Sequence, residues 1–170
     1  MKLPAADLGI MAEHLATHEG MINKFKLYYQ KVQNPTLKAL IDIQIKVLRL
    51  HVQTMLAFID PNKKGPIHLH NIFNDYQFTG LQNNISEEEK DILLEARATA
   101  KLMAMNNFNS ALMMKEQNVS HVHIEMAMQE RYMQHFYNEM IKQIDGDYTP
   151  KSSIEMQYLT LQKYAHVLHE

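Results

Sequence analysis

The sequence contains no cysteine, and it has only five glycines and five prolines among its 170 residues. A chain without cysteine can form no disulfide bond, no thiolate metal site and no cysteine nucleophile. Low glycine and proline contents favour long helices joined by short turns, because these two residues are the usual breakers of regular structure. The 17 Lys and Arg residues are balanced by 19 Asp and Glu residues, and the net charge of -2 argues against a basic nucleic-acid-binding protein.

Long apolar runs are lacking as well. No apolar run in the sequence reaches the roughly 18 residues that a membrane-spanning helix requires. Glu13, His14, His18 and Glu19 interrupt the segment in which a signal peptide would have its apolar core. We therefore expect an intracellular protein with no membrane and no nucleic-acid partner. The residues that are abundant instead are methionine and histidine, with 13 and 10 copies.

Four long segments have apolar residues that recur every three or four positions, which is the period of an amphipathic helix. Asn34-Pro35 separates the first two segments, because the residue before a proline is pushed out of the helical conformation. Ser86 and Glu89 have the spacing of a capping box, which predicts the start of the third helix. The predicted elements are helices over 5–33, 35–60, 86–117 and 118–144, a crossover over 61–85, and a short fifth helix over 153–168.

This order of elements predicts an all-α protein with two helical hairpins, 5–60 and 86–145. Two hairpins joined by one long crossover form the layout of a ferritin-like four-helix bundle. A length of 170 residues with 46% hydrophobic residues is typical of one folded domain. We therefore predict a single ferritin-like domain over residues 1–170, with the C-terminal helix 153–168 added to the bundle.

The two hairpins also show signs of an internal repeat. Superposition of Asn34 on Asn118, at the two predicted turns, also places His51 on His135. His18 and His51 lie almost equally far from Asn34 along the chain, on either side of it, so an antiparallel hairpin places their rings at about the same height. The repeat then predicts that His135 lies at this height on the fourth helix.

These histidines are candidate metal ligands. Ferritin-like dinuclear sites use a Glu-x-x-His motif, but Leu48 and Tyr132 stand at the Glu positions of that motif before His51 and His135. A ferritin-type dinuclear site is therefore not expected. The remaining possibility is a site in which three neutral imidazoles hold a divalent transition metal and leave one position open. The predicted ligands are His18, His51 and His135, with Glu139 nearby as a fourth group.

A competing interpretation needs no metal. In it, each of these histidines is a buried core residue that is hydrogen-bonded to neighbouring groups. His14 lies one turn before His18 and is interpreted as a boundary residue. His121 and His123 lie on nearly opposite sides of the fourth helix and are not expected to share a site. The methionines of the third helix are interpreted as adaptable core filling.

Two short segments, HLATHE at 14–19 and NPTLKAL at 34–40, resemble the spore coat protein F family of endospore-forming bacteria. Members of that family often show a His-containing segment followed by an N-P-x-L-(K/R) turn. The resemblance implies a ferritin-like helical bundle in a coat or sporulation-associated protein, with the spore coat as its location and other coat proteins as partners. It brings no catalytic residues to this chain.

The leading functional hypothesis is a non-catalytic structural or interaction protein of the spore coat F type, with no cofactor. The Met-rich third helix and the extra C-terminal helix provide apolar surface, which predicts self-association, most simply as a two-fold dimer. The alternative hypothesis is a metal-binding ferritin-like protein with a histidine-rich site inside the bundle. This alternative includes an oxidoreductase. Metal analysis of protein purified without an affinity tag separates the two hypotheses.

Overall fold

The computed structural model of the chain describes residues 2–73, 84–145 and 149–169. These residues form five α-helices and no strand, which confirms the prediction of an all-α protein. Within these ranges, no helix is both long enough and apolar enough to cross a membrane. The helices are α1 (Ala5–Lys31), α2 (Pro35–Ile59), α3 (Glu87–Met113), α4 (Gln117–Asp145) and α5 (Ile154–Tyr164), and a 3₁₀ turn over Ala165–His169 follows α5.

The four long helices pack as two pairs. α1 packs on α2 and α3 packs on α4, and the pairs contact each other through α2 with α4 and α1 with α3. The turns within the pairs are very short, which makes the paired helices antiparallel neighbours. The predicted crossover 61–85 lies between α2 and α3, but its residues 74–83 fall outside the described ranges. Residues 146–148, which follow the fourth predicted helix, fall outside them too.

Capping residues mark the starts of α2 and α3, and of these the Ser86–Glu89 capping box was predicted from the sequence. The side chain of Asn34 accepts hydrogen bonds from the backbone N–H groups two and three positions ahead, both at 3.0 Å. Pro35 then takes the first helical position, where a missing N–H leaves no hydrogen bond unmade. Ser86 and Glu89 form the predicted capping box, in which each side chain accepts from the other residue's backbone N–H. Local chemistry therefore sets both helix starts.

Each of the two hairpin turns is held by one carboxylate from the other pair of helices. Asp7 of α1 is fully buried and accepts from two backbone N–H groups in the α3–α4 turn, both at 2.8 Å. Glu89 of α3 accepts in the same way from two backbone N–H groups in the α1–α2 turn, both at 2.7 Å. These acceptors satisfy N–H groups that the start of a helix leaves without an intrahelical partner.

The helices of the two halves align in sequence when Asp7 is paired with Glu89. These are the two residues whose carboxylates bind the turns. The same alignment carries Ala5–Lys31 onto Glu87–Met113, and the first residue of α2 onto the first residue of α4. We call this register the structural repeat. It pairs Asn34 with Glu116, so the pairing of Asn34 with Asn118 predicted from the sequence is wrong by two positions. At 3.6 residues per turn, such an error rotates a helical position by about 200° and exchanges its buried and exposed faces.

The apolar core forms two clusters at opposite ends of the long helices. One cluster lies towards the α1–α2 turn and includes Phe25 and Leu93. The other lies towards the opposite end and includes Met11 and Met55. Full burial of one such side chain contributes roughly 1.5–3 kcal/mol, so the two clusters stabilise the packing of all four helices. Between the clusters, each long helix carries a buried polar residue: His18, His51, Asn107 and Glu130.

Candidate functional site

A layer of polar side chains separates the two apolar clusters. Several of its members are fully withdrawn from solvent: His51, His123 and Glu130 are 0% exposed, and His18 is 1% exposed. We call this set the polar layer. Its members are His14 and His18 on α1, Gln44 and His51 on α2, Asn107 and Ser110 on α3, and His123, Gln129 and Glu130 on α4.

Helical spacing explains why these polar residues face inwards. On α2, His51 lies between Leu48 and Met55, one turn from each, and both neighbours are fully buried. On α4, Glu130 lies in the same way between two fully buried methionines, one turn from each. Residues three and four apart share one face of a helix. The apolar neighbours therefore turn the imidazole and the carboxylate into the core.

Two imidazoles meet within the polar layer. Nε2 of His18 lies 3.4 Å from Nδ1 of His51, and the ring centroids are 5.5 Å apart. The second nitrogen of His18, Nδ1, lies 2.7 Å from the backbone carbonyl oxygen of His14. Because a carbonyl oxygen only accepts hydrogen bonds, Nδ1 carries the proton of the neutral ring. Nε2 of His18 therefore presents a lone pair to His51.

The proton on His51 is placed in the same way. Its Nε2 lies 3.0 Å from Oε1 of Gln129, whose own Nε2 donates to the backbone carbonyl oxygen of His70 at 2.8 Å. That donation fixes which end of the Gln129 amide faces His51, so the imidazole Nε2 donates to an acceptor. Nδ1 of the neutral ring then presents a lone pair. The two nitrogens that face each other are both acceptors, and neither neutral ring donates to the other.

Burial keeps these two rings neutral. It lowers the pKa of His18 from 6.5 to about 4, although the hydrogen bond to the His14 carbonyl partly offsets the effect. It also lowers the pKa of His51 well below 6.5, and the neighbouring imidazole of His18 adds to the lowering. A charged imidazolium is disfavoured away from water and beside another potential cation. At neutral pH both rings are therefore uncharged.

A buried carboxyl group lies beside them. The amide nitrogen of Gln44 donates to both oxygens of Glu130, at 3.1 and 2.9 Å. Oε1 of Glu130 lies 3.9 Å from Nδ1 of His51. Burial raises the pKa of Glu130 to about 8, because the hydrogen bond from Gln44 offsets only part of the lost hydration. Titratable groups that are perturbed by burial and lie together are typical of functional sites.

Two further imidazoles extend the layer. Nδ1 of His123 donates to the backbone carbonyl oxygen of Val119 at 2.8 Å, and its buried Nε2 has no hydrogen-bond partner among the described residues. The ring centroid of His14 lies 5.4 Å from that of His123 and 6.1 Å from that of His18. Nε2 of His14 lies 2.8 Å from Oγ of Ser110. The four rings therefore follow one another through the protein interior.

Imidazole and carboxylate groups are the ligands that divalent transition metals prefer when no thiolate is present. Over residues 2–73, 84–145 and 149–169, however, no three His, Asp or Glu side chains converge closely enough to hold a metal ion as they stand. The two donors that do converge are His18 and His51. The carboxylate of Glu130 stands 3.9 Å from the second of them.

The structure brings together two of the four residues predicted as metal ligands, His18 and His51. The other two, His135 and Glu139, lie outside the polar layer: their side chains are 48% and 35% exposed, and Nδ1 of His135 lies 4.0 Å from Oε1 of Glu139. The structural repeat superimposes His51 on Met133, which is fully buried. His135 lies two positions further along α4, and the helix turns it towards solvent.

Sequence reasoning missed Gln44, His123 and Glu130, and it interpreted His14 as a boundary residue. Interruptions in the apolar stripes were the available signal. The apolar residues on the inner face of α4 skip one turn between Met126 and Met133, and Glu130 occupies the skipped position on the same face. His123 lies two turns before Glu130 along that face.

A second feature of the molecule is an apolar stripe on the C-terminal helix. No residue of α5 or of the following 3₁₀ turn is buried. Four large apolar side chains of this segment are between 62% and 83% exposed. They recur at intervals of one or two helical turns, which is the pattern of a helix that packs against another helix. We call them the α5 stripe: Ile154, Tyr158, Leu161 and Leu168.

A similar stripe lies on the outer face of α3. Its four apolar side chains are between 48% and 69% exposed, and each lies about one turn from the next. They therefore share one face of the helix, turned away from the core. We call them the α3 stripe: Leu102, Met105, Phe108 and Leu112.

Comparisons of the chain with protein-family models, with curated proteins and with solved structures found no match. The functional proposals therefore start from two physical features, the polar layer and the pair of exposed apolar stripes. The first is a candidate ligand site, and the second is a candidate interface.

Proposed function

We propose that the chain is a non-catalytic structural or interaction protein of the spore coat F type, with a ferritin-like four-helix bundle that self-associates. The order of elements supports this fold, because two helical hairpins with a long connection between α2 and α3 are the ferritin-like layout. The resemblance of segments 14–19 and 34–40 to the coat protein F family supports the assignment to that family. The observation that carries the interaction role is the α5 stripe, which a single chain leaves in contact with water.

The exposed stripes favour an assembly over an isolated chain. Large contiguous apolar patches on a protein surface usually mark interaction sites. The α5 stripe adds heptad-like spacing, which suits packing of one helix on another. A scattered set of exposed apolar residues would carry no such meaning, but Ile154, Tyr158 and Leu161 share one face of α5.

The partner that we propose is a second copy of the chain. One chain carries both an α5 stripe and an α3 stripe, so a two-fold dimer can place each α5 on the α3 of the other copy. At 1.5 Å per residue, the α3 stripe from 102 to 112 spans about 15 Å, and the part of the α5 stripe that lies on α5, from 154 to 161, spans about 10 Å. The α3 stripe is therefore long enough to cover these α5 residues, and both faces are apolar.

Light scattering on the full chain tests this proposal. We expect the wild type to have twice the 19.9 kDa mass of one chain, and Leu161→Glu to have the mass of one chain, because a charge on the α5 stripe opposes its burial. Leu112→Glu is expected to act in the same way from the α3 stripe. Thr160→Glu is the matched control, since it adds the same charge to α5 at a position about 100° or more around the helix from each stripe residue of α5. A monomeric wild type, or a dimer that survives both Leu substitutions, would contradict the proposal.

The spore coat location has its own test. In an endospore-forming host, a fluorescent fusion of the full chain is expected to label the coat of mature spores and to be extracted with the coat fraction. Fluorescence that stays in the spore core or in the mother-cell cytoplasm would refute the location.

Metal binding is the second candidate function, and one observation favours it. Two buried imidazole nitrogens face each other as acceptors at 3.4 Å, and the other nitrogen of each ring is hydrogen-bonded to a fixed acceptor. Neutral rings gain no hydrogen bond from this arrangement, whereas a cation between them would bind both lone pairs.

A further inference from the structure

We infer that the polar layer binds one divalent transition-metal ion, with Nε2 of His18, Nδ1 of His51 and the carboxylate of Glu130 as ligands. The inference rests on the second candidate function and gives it a ligand set, and it is independent of self-association through α5. It also replaces the ligand set predicted from the sequence, because His135 and Glu139 lie on the surface.

The spacing of the two imidazole nitrogens fits one metal ion. Two nitrogens that are each about 2.0–2.1 Å from a tetrahedral zinc ion lie about 3.3–3.4 Å from one another. Nε2 of His18 and Nδ1 of His51 are 3.4 Å apart. Both nitrogens present lone pairs in the neutral rings, which is the protonation state that metal binding requires.

The outer nitrogen of each ring is already held in place. Metal-bound histidines usually donate their second N–H to a carbonyl or carboxylate oxygen, which fixes the tautomer and the ring orientation. His18 has this partner in the carbonyl oxygen of His14, at 2.7 Å. His51 has it in the amide oxygen of Gln129, at 3.0 Å, and the amide is itself anchored to a backbone carbonyl. The two lone pairs are thus aimed by groups that need no metal to hold them.

Glu130 supplies the third ligand once its carboxyl group moves towards the two imidazoles. Its Oε1 is 3.9 Å from Nδ1 of His51, about 0.5 Å more than the spacing of two ligands on one ion. The carboxyl group is fully buried; it releases its proton when a metal binds, and the resulting negative charge offsets part of the charge of the dication. His123 offers a further buried nitrogen, Nε2, which has no hydrogen-bond partner in the described part of the chain.

The structural repeat shows that the fold can fill the same positions with apolar side chains. It maps each inferred ligand onto a residue of the other half, and every one of these counterparts is fully buried. The equivalent packing environment is therefore compatible with apolar residues, so stability alone does not account for two imidazoles and a carboxyl group. The counterparts are Ala100 for His18, Met133 for His51 and Leu48 for Glu130.

A narrow cleft borders the polar layer on its α1 and α3 side. It has a volume of about 20 Å³ and is lined by residues that include His14, His18 and Asn107. A space of this size accommodates roughly one water-sized species, so the cleft is too small for an organic cofactor.

The chemistry of the ligands selects the class of metal. Imidazole nitrogens suit zinc, iron, nickel and copper, whereas calcium and magnesium prefer oxygen ligands throughout. Two nitrogens and one carboxylate thus point to a divalent transition metal. Zinc is the simplest probe, because it has no redox chemistry and readily accepts four ligands.

Zinc titration of the untagged full chain tests the inference. The protein is first treated with a chelator, and Zn²⁺ binding is then measured by competition with a chromophoric chelator. We expect one ion per chain in the wild type. In His18→Ala and in His51→Met, which introduce the apolar counterparts from the repeat, the affinity is expected to fall by more than about 100-fold, because loss of an outer-shell partner alone costs about 10–100-fold.

His121→Ala and His135→Ala are matched controls, because both remove a solvent-exposed imidazole that lies one turn from a glutamate on the same helix. Both are expected to bind zinc like the wild type. No saturable binding in the wild type, wild-type binding by a folded His51→Met, or loss of binding in His135→Ala would each overturn the inference. Far-UV circular dichroism checks that each variant is folded.

Cobalt spectra of the wild type provide a reading that requires no variant. Four- or five-coordinate Co²⁺ with nitrogen and carboxylate ligands is expected to give strong visible absorption bands. The weak bands of six-coordinate Co²⁺ would count against the inferred site. Light scattering on the same samples shows whether self-association persists, so failure of the metal site is distinguishable from failure of the dimer.

Discussion

The buried carboxyl group of Glu130 gives the metal-free protein a pH dependence that a surface acid does not give. Burial raises its pKa from 4.5 to about 8. In the unfolded chain the group returns to its ordinary value, so between these two values the folded state holds a proton that the unfolded state has released. Because the folded state binds more protons, this contribution to stability is complete below about pH 4.5 and is lost as the pH rises through about 8.

Comparison with Glu130→Gln isolates this contribution, because the glutamine is nearly the same shape and does not titrate. The histidine contributions are present in both proteins and cancel in the difference. About two pH units separate pH 6 from the folded-state pKa, and each unit corresponds to about 1.4 kcal/mol. From pH 6 to pH 8.5, we therefore expect the free energy of unfolding of the wild type to fall by about 2–3 kcal/mol relative to Glu130→Gln.

Urea unfolding followed by circular dichroism measures this difference, with chelator present at pH 6, 7, 8 and 8.5. Glu125→Gln is the control, since Glu125 lies on the same helix with 43% of its side chain exposed. Its difference from the wild type is expected to stay constant over this range. If the wild type and Glu130→Gln differed by the same amount at every pH, Glu130 would not be a buried, proton-holding carboxyl group, and the reasoning about the polar layer would be refuted.

Three further predictions concern the caps, the imidazoles and the metal. Asp7→Ala is expected to lower the free energy of unfolding by about 2–4 kcal/mol, because two backbone N–H groups lose their acceptor, whereas the exposed Glu88→Ala changes it by less than about 0.5 kcal/mol. His18→Ala is expected to weaken the loss of stability at acid pH, measured by urea unfolding. The folded-state pKa of His18 is about 4, so the unfolded chain binds more protons as the pH falls below 6.5. By pH 5 the wild type therefore loses about 2 kcal/mol of its free energy of unfolding through this residue. Zinc at about 100 times its dissociation constant is expected to stabilise the wild type by about 2.7 kcal/mol and to leave the thermal unfolding of His51→Met unchanged.

Helix positions could be predicted because their signals are local. Apolar periodicity identified the four long helices that the structure describes, and Asn34-Pro35 and the Ser86–Glu89 box identified the starts of two of them. The end of α3 was predicted one turn too late. The turn that ends it contains neither glycine nor proline, and its backbone is held by Asp7, which lies near the opposite end of the sequence. A contact between such distant segments leaves no mark in the pattern around the turn.

The site could be predicted only in part, and for a similar reason. His18 and His51 were paired by counting residues from one tight turn, and the geometry of a hairpin is short-range information. His135 was added through a repeat whose register was wrong by two positions, which is enough to exchange the faces of a helix. Glu130 was missed because a charged residue is usually exposed, and its burial depends on packing against α2, where Gln44 and His51 lie beside it.

Protons and a divalent ion compete for the same lone pairs in the polar layer. Burial disfavours a proton on His18 or His51, because the resulting charge would lie far from water. The nearby carboxyl group of Glu130 has a raised pKa and is mostly protonated at neutral pH, so it offers little negative charge to stabilise an imidazolium. A dication differs from a proton in this respect: it contacts both nitrogens directly and favours the ionised carboxylate, so opposite charges meet inside the layer. The same burial that keeps the rings neutral therefore leaves their nitrogens available to a metal at neutral pH.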